Sequence, residues 1–371
     1  MKKIAFFDTK PYDRTWFDAL GQNYEITYFE EKLNHHTAKF TDGFDAVCAF
    51  VNDRINALAI ERLHNNGVQL IAMRCAGYSN VDVQAAFEKL HIVRVPAYSP
   101  HAVAEHTMGL LLTLNRRLHK AYNRTREFNF SIVGLTGTDL YGKTVGVIGT
   151  GKIGRTFIEI CRGFGMRVLA YDKFPAKDSD LDYVELDTLF RESDVISLHC
   201  PLTPETQHIL NRGAFSKMKK GVFILNTSRG ALIDSEALLD ALNDRTVGGA
   251  GLDVSDEEAN LFYEDRSDTI IRDDTLALLV SRPNVILTAH QAFLTEEALH
   301  NIAEKTIKNL DAFFSGAPLE NEICYLCDRD KAGQDCRKTR QERCFPSPAP
   351  PYPPPMPPLP TRRRTDRQPG R

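Results

Sequence analysis

No uninterrupted apolar stretch in these 371 residues approaches a membrane span. The longest candidate, around Met108 to Leu114, falls far short of the roughly 20 residues a transmembrane helix needs. The start, Met1-Lys-Lys-Ile-Ala-Phe-Phe7, carries two lysines, but its apolar run is too short for the core of a secretory signal. It predicts a buried first strand, and the whole pattern predicts a cytoplasmic protein with no membrane partner. Excess positive charge is also missing: the formal net charge is −3, which excludes a polyanion-binding body and nucleic acid as its partner. Cysteine is sparse before the C-terminal end. Cys48, Cys75, Cys161 and Cys200 lie scattered in apolar segments, as reduced, buried thiols do, and no metal site is expected there. No short-period repeat is present. A composition of 42% hydrophobic and 26% charged residues leaves a soluble globular chain with about two domains.

What is there, first, is alternation. Up to about residue 97, strand-like runs (Ile4–Phe7, Glu25–Phe29, Ala46–Phe50, Leu70–Met73, Ile92–Val95) alternate with amphipathic stretches at Arg14–Leu20, Asn56–His64 and Val83–Leu90. This predicts a parallel sheet with helices on both faces. No glycine fingerprint follows the first strand, so this unit is not an evident nucleotide binder. Pro96 and Pro100 bracket a turn, and apolar positions from Val103 to Leu118 at helical spacing predict one long helix over His101–Tyr122. Strands and helices alternate again from Thr144 to Thr288, and Thr295–Phe314 predicts a last long helix closed by Gly316. That helix can return the chain to the first sheet.

The second unit opens with Thr144-Val-Gly-Val-Ile-Gly149-Thr-Gly151-Lys-Ile-Gly154. Gly149 permits a tight strand-to-helix turn, Gly151 lets a pyrophosphate approach the backbone, and Gly154 lets helix pack on strand. The N–H groups at the start of that helix favour the diphosphate. A second strand, Arg167–Tyr171, ends at Asp172, roughly 20 residues on, where a ribose-binding carboxylate belongs. The segment predicts a dinucleotide site. Asp172 favours NAD over NADP, because its charge repels a 2′-phosphate, and Lys173 beside it works against that preference.

Three further residues follow strands of the same unit, where ligands of such sheets bind. Arg229, in Asn226-Thr-Ser-Arg-Gly230, can pair a carboxylate or polarise a keto oxygen. His290, in Leu287-Thr-Ala-His-Gln-Ala-Phe293, can supply a proton near neutral pH. Glu258, at the end of Asp253-Val-Ser-Asp-Glu-Glu258, can orient an imidazole and raise its pKa. Each alone has a bland alternative: a surface arginine, a structural histidine, a solvated acidic face. Their shared placement sets them apart.

Arg74-Cys-Ala-Gly77, Val95-Pro-Ala-Tyr98-Ser-Pro100, Val147-Ile-Gly-Thr-Gly-Lys-Ile-Gly154, His199-Cys-Pro-Leu-Thr203, Asn226-Thr-Ser-Arg-Gly230, Gly251-Leu-Asp253 and His290-Gln-Ala-Phe293 follow one another in the body of the chain, residues 1 to about 323. Through them the chain resembles the D-isomer-specific 2-hydroxyacid dehydrogenases, and within that family the enzymes that interconvert pyruvate and D-lactate. The resemblance implies two doubly wound α/β domains. A flavodoxin-like substrate domain would be formed by residues 1–98 and 295–324, and a Rossmann NAD domain by residues 99–294. It implies catalytic roles for Arg229, Glu258 and His290. His290 would protonate the substrate oxygen, Glu258 would keep His290 protonated, and Arg229 would bind carboxylate and carbonyl. It places Ala76, Gly77 and Tyr98 at the substrate. NAD contacts are implied for Gly149, Gly151, Lys152, Ile153, Gly154, Asp172, Cys200, Pro201, Thr206, Thr227, Ser228, Arg229 and Asp253, the last at the nicotinamide carboxamide. A homo-oligomer, dimer or tetramer, is implied as well. Two alternatives stay open: a reductase of another 2-keto acid (phenylpyruvate, hydroxypyruvate or glyoxylate), and an NADH-sensing, corepressor-like binding module on the same fold.

From about Tyr325 the composition changes. Eleven of the 19 prolines lie between Pro346 and Pro369, and eleven Lys/Arg stand against five Asp/Glu. Residues 325–371 are therefore expected to be disordered, with polyproline II around Pro350–Pro360. Cys324, Cys327, Cys336 and Cys344 have only one pair at zinc-finger spacing, and no histidine joins them. Pro357-Pro-Leu-Pro360 matches a proline-rich ligand. An extension without function is the reading favoured over both.

Overall fold

The computed structural model describes residues 1–177, 180–256, 262–265, 267–270 and 273–325. Glu258 and the tail from residue 326, with its cysteine and proline motifs, lie outside the described residues.

Two all-parallel sheets carry the fold. The first contains β1 (Lys2–Phe6), β2 (Tyr24–Tyr28), β3 (Ala46–Ala49), β4 (Leu70–Met73) and β5 (His91–Arg94), in the order β2-β1-β3-β4-β5. This is the flavodoxin order. The second contains β6 (Thr144–Ile148), β7 (Arg167–Tyr171), β8 (Val195–Leu198), β9 (Val222–Asn226), β10 (Val247–Leu252) and β11 (Val285–Leu287), in the order β11-β10-β9-β8-β6-β7. A single parallel bridge, Ala170 to Tyr183, continues it beyond β7. Counting that bridge as a vestigial strand gives the Rossmann order 3-2-1-4-5-6, with β11 as a seventh strand at the far edge. The central strands β3, β4, β6 and β8 are buried along their whole length, as strands covered on both faces must be.

Helix Pro100–Arg116 starts on Ser99, whose hydroxyl accepts the Ala102 amide at 3.2 Å, with Pro100 in the first turn. It buries Ala104, Met108, Leu111 and Leu114 against Val145, Val147 and Phe157. Filling such positions contributes roughly 1.5–3 kcal/mol per large side chain. The single helix expected over His101–Tyr122 is in fact two. Arg117 adopts a left-handed backbone (φ 51°), and a second helix runs over Leu118–Arg126. The break falls where buried apolar spacing stops, since the second helix has no buried residue. The helix expected over Val83–Leu90 is also shorter, covering Val83–Ala86, with Glu88 at positive φ. Helix Asp274–Ser281 was not expected.

The last helix, Glu296–Ser315, is capped by Thr295 and closed by left-handed Gly316. Its residues Ala303, Ile307, Leu310 and Phe313 pack with Ile4, Phe6 and Phe17, so the chain does return to the first sheet. Among the described residues no helix is long and apolar enough to cross a membrane. Cys48, Cys75, Cys161 and Cys200 are buried free thiols.

Candidate active site

The glycine turn between β6 and helix Lys152–Gly163 is built from backbone. Gly149 sits at φ 98°, and a β-carbon there would stand 2.5 Å from the carbonyl carbon of His199. Gly154 is tighter: its β-carbon would lie 2.0 Å from the Gly149 carbonyl oxygen, so only glycine lets the helix approach the strand. Around Gly151, by contrast, no atom lies within 4 Å of that position. The approach to the first turn of the helix, with Lys152 and Ile153, is therefore open beside Gly151. An anionic diphosphate fits there.

Asp172 ends β7 beside this turn. Its Oδ2 accepts the Thr150 amide at 2.7 Å and the Thr150 hydroxyl at 2.9 Å, and its Oδ1 accepts the Phe174 amide at 2.9 Å. Partial burial works to raise its pKa, but these donors and Arg155 prevail and hold it below the usual carboxylate value. On the other side of β6, Ser228 donates to the Cys200 carbonyl at 2.7 Å and Thr206 to the Pro201 carbonyl at 2.7 Å. Thr227 shares a 2.8 Å hydroxyl contact with Thr107 of helix Pro100–Arg116. The residues present fit an NAD molecule laid across the carboxyl ends of β7, β6 and β8. Among the described residues there is no cluster suited to a metal ion.

The substrate side is built from side chains. A cavity of about 50 Å³ is lined by Phe50, Val51, Cys75, Ala76, Gly77, Tyr98, Arg229, Tyr263, His290 and Phe293, among others. Residues that follow strands of both sheets meet here. The Arg229 guanidinium comes so close to the Gly77 backbone that a β-carbon on Gly77 would stand 3.0 Å from Nη2. Arg229 is steadied by its Nη1, which donates to the Ser228 carbonyl at 2.6 Å, and by Asn226 Nδ2, which donates to the Arg229 carbonyl at 2.8 Å. Opposite, Arg94 donates to the Ala76 carbonyl at 2.8 Å and orients the 75–77 turn. Burial pushes the Tyr98 hydroxyl up to about 12, against the pull of Arg229, so it stays protonated.

His290 reaches this cavity from the turn after β11, in a left-handed backbone (φ 51°) that a residue with a β-carbon enters at a cost. Asp253 holds it there. The Asp253 carbonyl accepts the His290 amide at 2.8 Å, and its carboxylate accepts the amides of Gln291 and Ala292 at 2.9 and 2.8 Å. The Thr288 hydroxyl donates to the same carboxylate, and His106 Nε2 lies 3.5 Å from it. Burial raises the Asp253 pKa, but these four donors outweigh it and keep the group ionised. Tyr263 stacks on the His290 ring and donates to its carbonyl at 2.8 Å. The sequence reading gave no role to Thr150 and Thr288, which stand inside quoted stretches, or to His106 and Tyr263, which stand outside them, because folding alone brings these residues to their partners.

The model of the D-isomer specific 2-hydroxyacid dehydrogenase NAD binding domain matches residues 108–292. D-lactate dehydrogenase of Escherichia coli K12 is 51% identical over 327 residues, 86% of this chain and 99% of that protein. The chain belongs to the D-isomer specific 2-hydroxyacid dehydrogenases. As a member of that family it is an oxidoreductase with an NAD-binding domain. The solved apo-structure of D-lactate dehydrogenase from Escherichia coli superposes with a TM-score of 0.79 at 49% identity, over 86% of this chain and 99% of that one. D-lactate dehydrogenase from Aquifex aeolicus, solved with NAD and lactic acid, gives 0.74 at 32% identity, over 84% and 96%.

Proposed function

We propose that this dehydrogenase reduces pyruvate to D-lactate with NADH. The observation that carries this reading is the small cavity in which Arg229 and His290 meet apolar walls from Phe50, Tyr98 and Phe293. A carboxylate and a neutral keto oxygen beside one methyl group suit it better than a large acid. NAD supplies the hydride acceptor or donor when bound. The chain supplies the rest. Arg229 and the amides of the 76–77 turn take the carboxylate, and the guanidinium polarises the keto oxygen. His290 delivers the proton to that oxygen, with Glu258 as its partner. Asp253 fixes the turn on which His290 stands. Gly149, Gly151, Lys152, Ile153 and Gly154 receive the diphosphate and Asp172 the adenosine ribose. Cys200, Pro201, Thr206, Thr227 and Ser228 line the remainder of the dinucleotide.

The two sheets correspond to the two proposed domains, substrate (1–98 and 295–324) and cofactor (99–294). A homo-oligomer is supported by Tyr122, Phe128, Phe130, Ile132, Val133 and Tyr141, large apolar side chains that follow helix Pro100–Arg116 and stand exposed.

The test is NADH oxidation by the purified protein against pyruvate, phenylpyruvate, hydroxypyruvate and glyoxylate, with chiral analysis of the product. Fast, selective formation of D-lactate from pyruvate supports the proposal. Preference for another acid keeps the mechanism and changes the substrate. Binding of NADH without turnover of any acid overturns it in favour of an NADH-sensing module.

A further inference from the structure

Lys173 directly follows Asp172 at the carboxyl end of β7, yet its charge does not stand alone. Its ammonium lies 3.3 Å from Glu205 Oε1. The other oxygen of Glu205 accepts the Thr203 hydroxyl at 2.8 Å. Thr203 in turn donates its amide to the Thr206 hydroxyl at 2.7 Å, and Thr206 donates to the Pro201 carbonyl. The 201–206 loop is thus a self-bonded turn after β8 that aims the Glu205 carboxylate. Strand β6 lies between β7 and β8. The Lys173–Glu205 pair therefore spans the carboxyl end of β6, across the crevice that opens at the glycine turn.

We infer that Glu205 is a cofactor-specificity residue: it occupies the Lys173 ammonium beside Asp172, which would otherwise meet a 2′-phosphate, and it adds a second negative charge there. The inference rests on the reading of Asp172 as the ribose carboxylate. Asp172, Glu205 and Lys173 leave one net negative charge among the three, against the positive charge of Arg155 that also acts on Asp172, whereas a phosphate monoester brings about two more negative charges. Without Glu205 the three balance to zero, and the ammonium on its flexible stem loses its carboxylate partner. A lysine beside the ribose carboxylate invites NADP when read from sequence. The ion pair answers that invitation. Lys173 and Glu205 are 59% and 62% exposed, so solvent and salt screen the effect and hold it to a few-fold.

The experiment is a fluorescence titration of the full chain with NADH and with NADPH, in the absence of substrate. Glu205→Gln keeps the side-chain shape and the Thr203 contact while removing the charge. It is expected to tighten NADPH about threefold to fivefold, with NADH moving less than about twofold. The gain should shrink as salt is raised and vanish in the Glu205→Gln/Lys173→Met double variant. Asp172→Ser serves as the control for the site itself. If Asp172→Ser shifts the NADPH-to-NADH ratio and Glu205→Gln does not, the role of Glu205 is overturned and the ribose site stands. If neither variant shifts the ratio, the ribose assignment falls, and the inference with it. A gain that survives in the double variant also overturns it, since the freed ammonium would not be the cause.

Discussion

The proposed cofactor crevice and the proposed substrate cavity are made of different material. The crevice is mostly backbone: three glycines within six residues, the amides of one helix N-terminus, and one carboxylate set by a threonine next to the turn. The cavity is made of side chains drawn from residues 50 to 302, delivered by two sheets and fixed by partners far away in sequence. At Gly149 and Gly154 the first tolerates no added atom. The second depends on each side chain that lines it.

The largest effect should follow from removing His290. His290→Ala is expected to lower kcat for 2-keto acid reduction about 10²- to 10⁴-fold, as loss of a general acid does, while leaving the Kd for NADH nearly unchanged. Steady-state kinetics paired with an NADH titration checks both halves. Near-normal kcat would remove the proton-donor role. A matching loss of NADH affinity would dissolve the contrast between the two regions.

Adding a single methyl group is the complementary test. In Gly154→Ala the new β-carbon would start 2.0 Å from the Gly149 carbonyl oxygen, which is backbone and has nowhere to rotate. The helix must move away from the strand, at a cost of about 1–3 kcal/mol in stability. NADH affinity should fall about tenfold or more, because the amides of the first turn move with the helix. Thermal unfolding and the same titration measure the two effects. Unchanged affinity would mean that the turn does not hold the diphosphate.

This difference also governs how much was legible beforehand. Glycine at fixed spacing is a backbone statement written in sequence, so the turn, the strand after it and Asp172 could all be placed from the chain alone. The alternation of strands announced both sheets. Arg229 and His290 were found because each follows a strand end. What holds them was not. Asp253 engages Thr288 and His106, residues 35 and 147 positions away; Thr288 stands in the same stretch as His290, yet nothing in either segment marks it as a partner of Asp253. Nor does sequence show that Arg117 turns left-handed, a conformation usually left to glycine or asparagine. Glu258 lies outside the described residues, and its place beside His290 rests on the resemblance.

A smaller effect is expected from Asp172→Ala. Losing a charged acceptor weakens NADH by roughly 1.5–3 kcal/mol at most, and by less here because the carboxylate is partly solvated. The structure also fixes the sign with pH. Asp172 is held below the usual carboxylate value, so it is ionised throughout the neutral range. The wild-type advantage over the variant should persist as pH falls to ordinary carboxylate values and fade only below them. An advantage that disappears between pH 6 and pH 8 would point to a different group, since the proton concentration there is about two to four orders below that at which a carboxylate titrates.

The smallest effect lies beneath the substrate cavity. Asp53 is buried, and its two oxygens accept the amides of Leu33 at 2.6 Å and Phe50 at 2.5 Å. It thereby shapes the turn after β3 that carries Phe50 and Val51 to the cavity wall. Burial raises its pKa to about 7, although those amides and Arg74 pull the other way. A carboxyl whose folded pKa is raised binds more protons in the folded than in the unfolded state, so its contribution to stability declines as pH climbs from the unfolded carboxyl value toward about 7. Asp53→Asn has no proton to lose. At low pH, where both side chains are neutral, the variant should be somewhat less stable, because an amide offers one good acceptor to two donors. As pH rises from ordinary carboxyl values toward about 7 the gap should narrow or reverse, and a pair of Tm-against-pH curves measures it. Parallel curves would show that Asp53 ionises as easily in the folded chain as in the unfolded one. Converging curves would extend the contrast one layer down: even the backbone of the substrate side is held in place by a buried side chain.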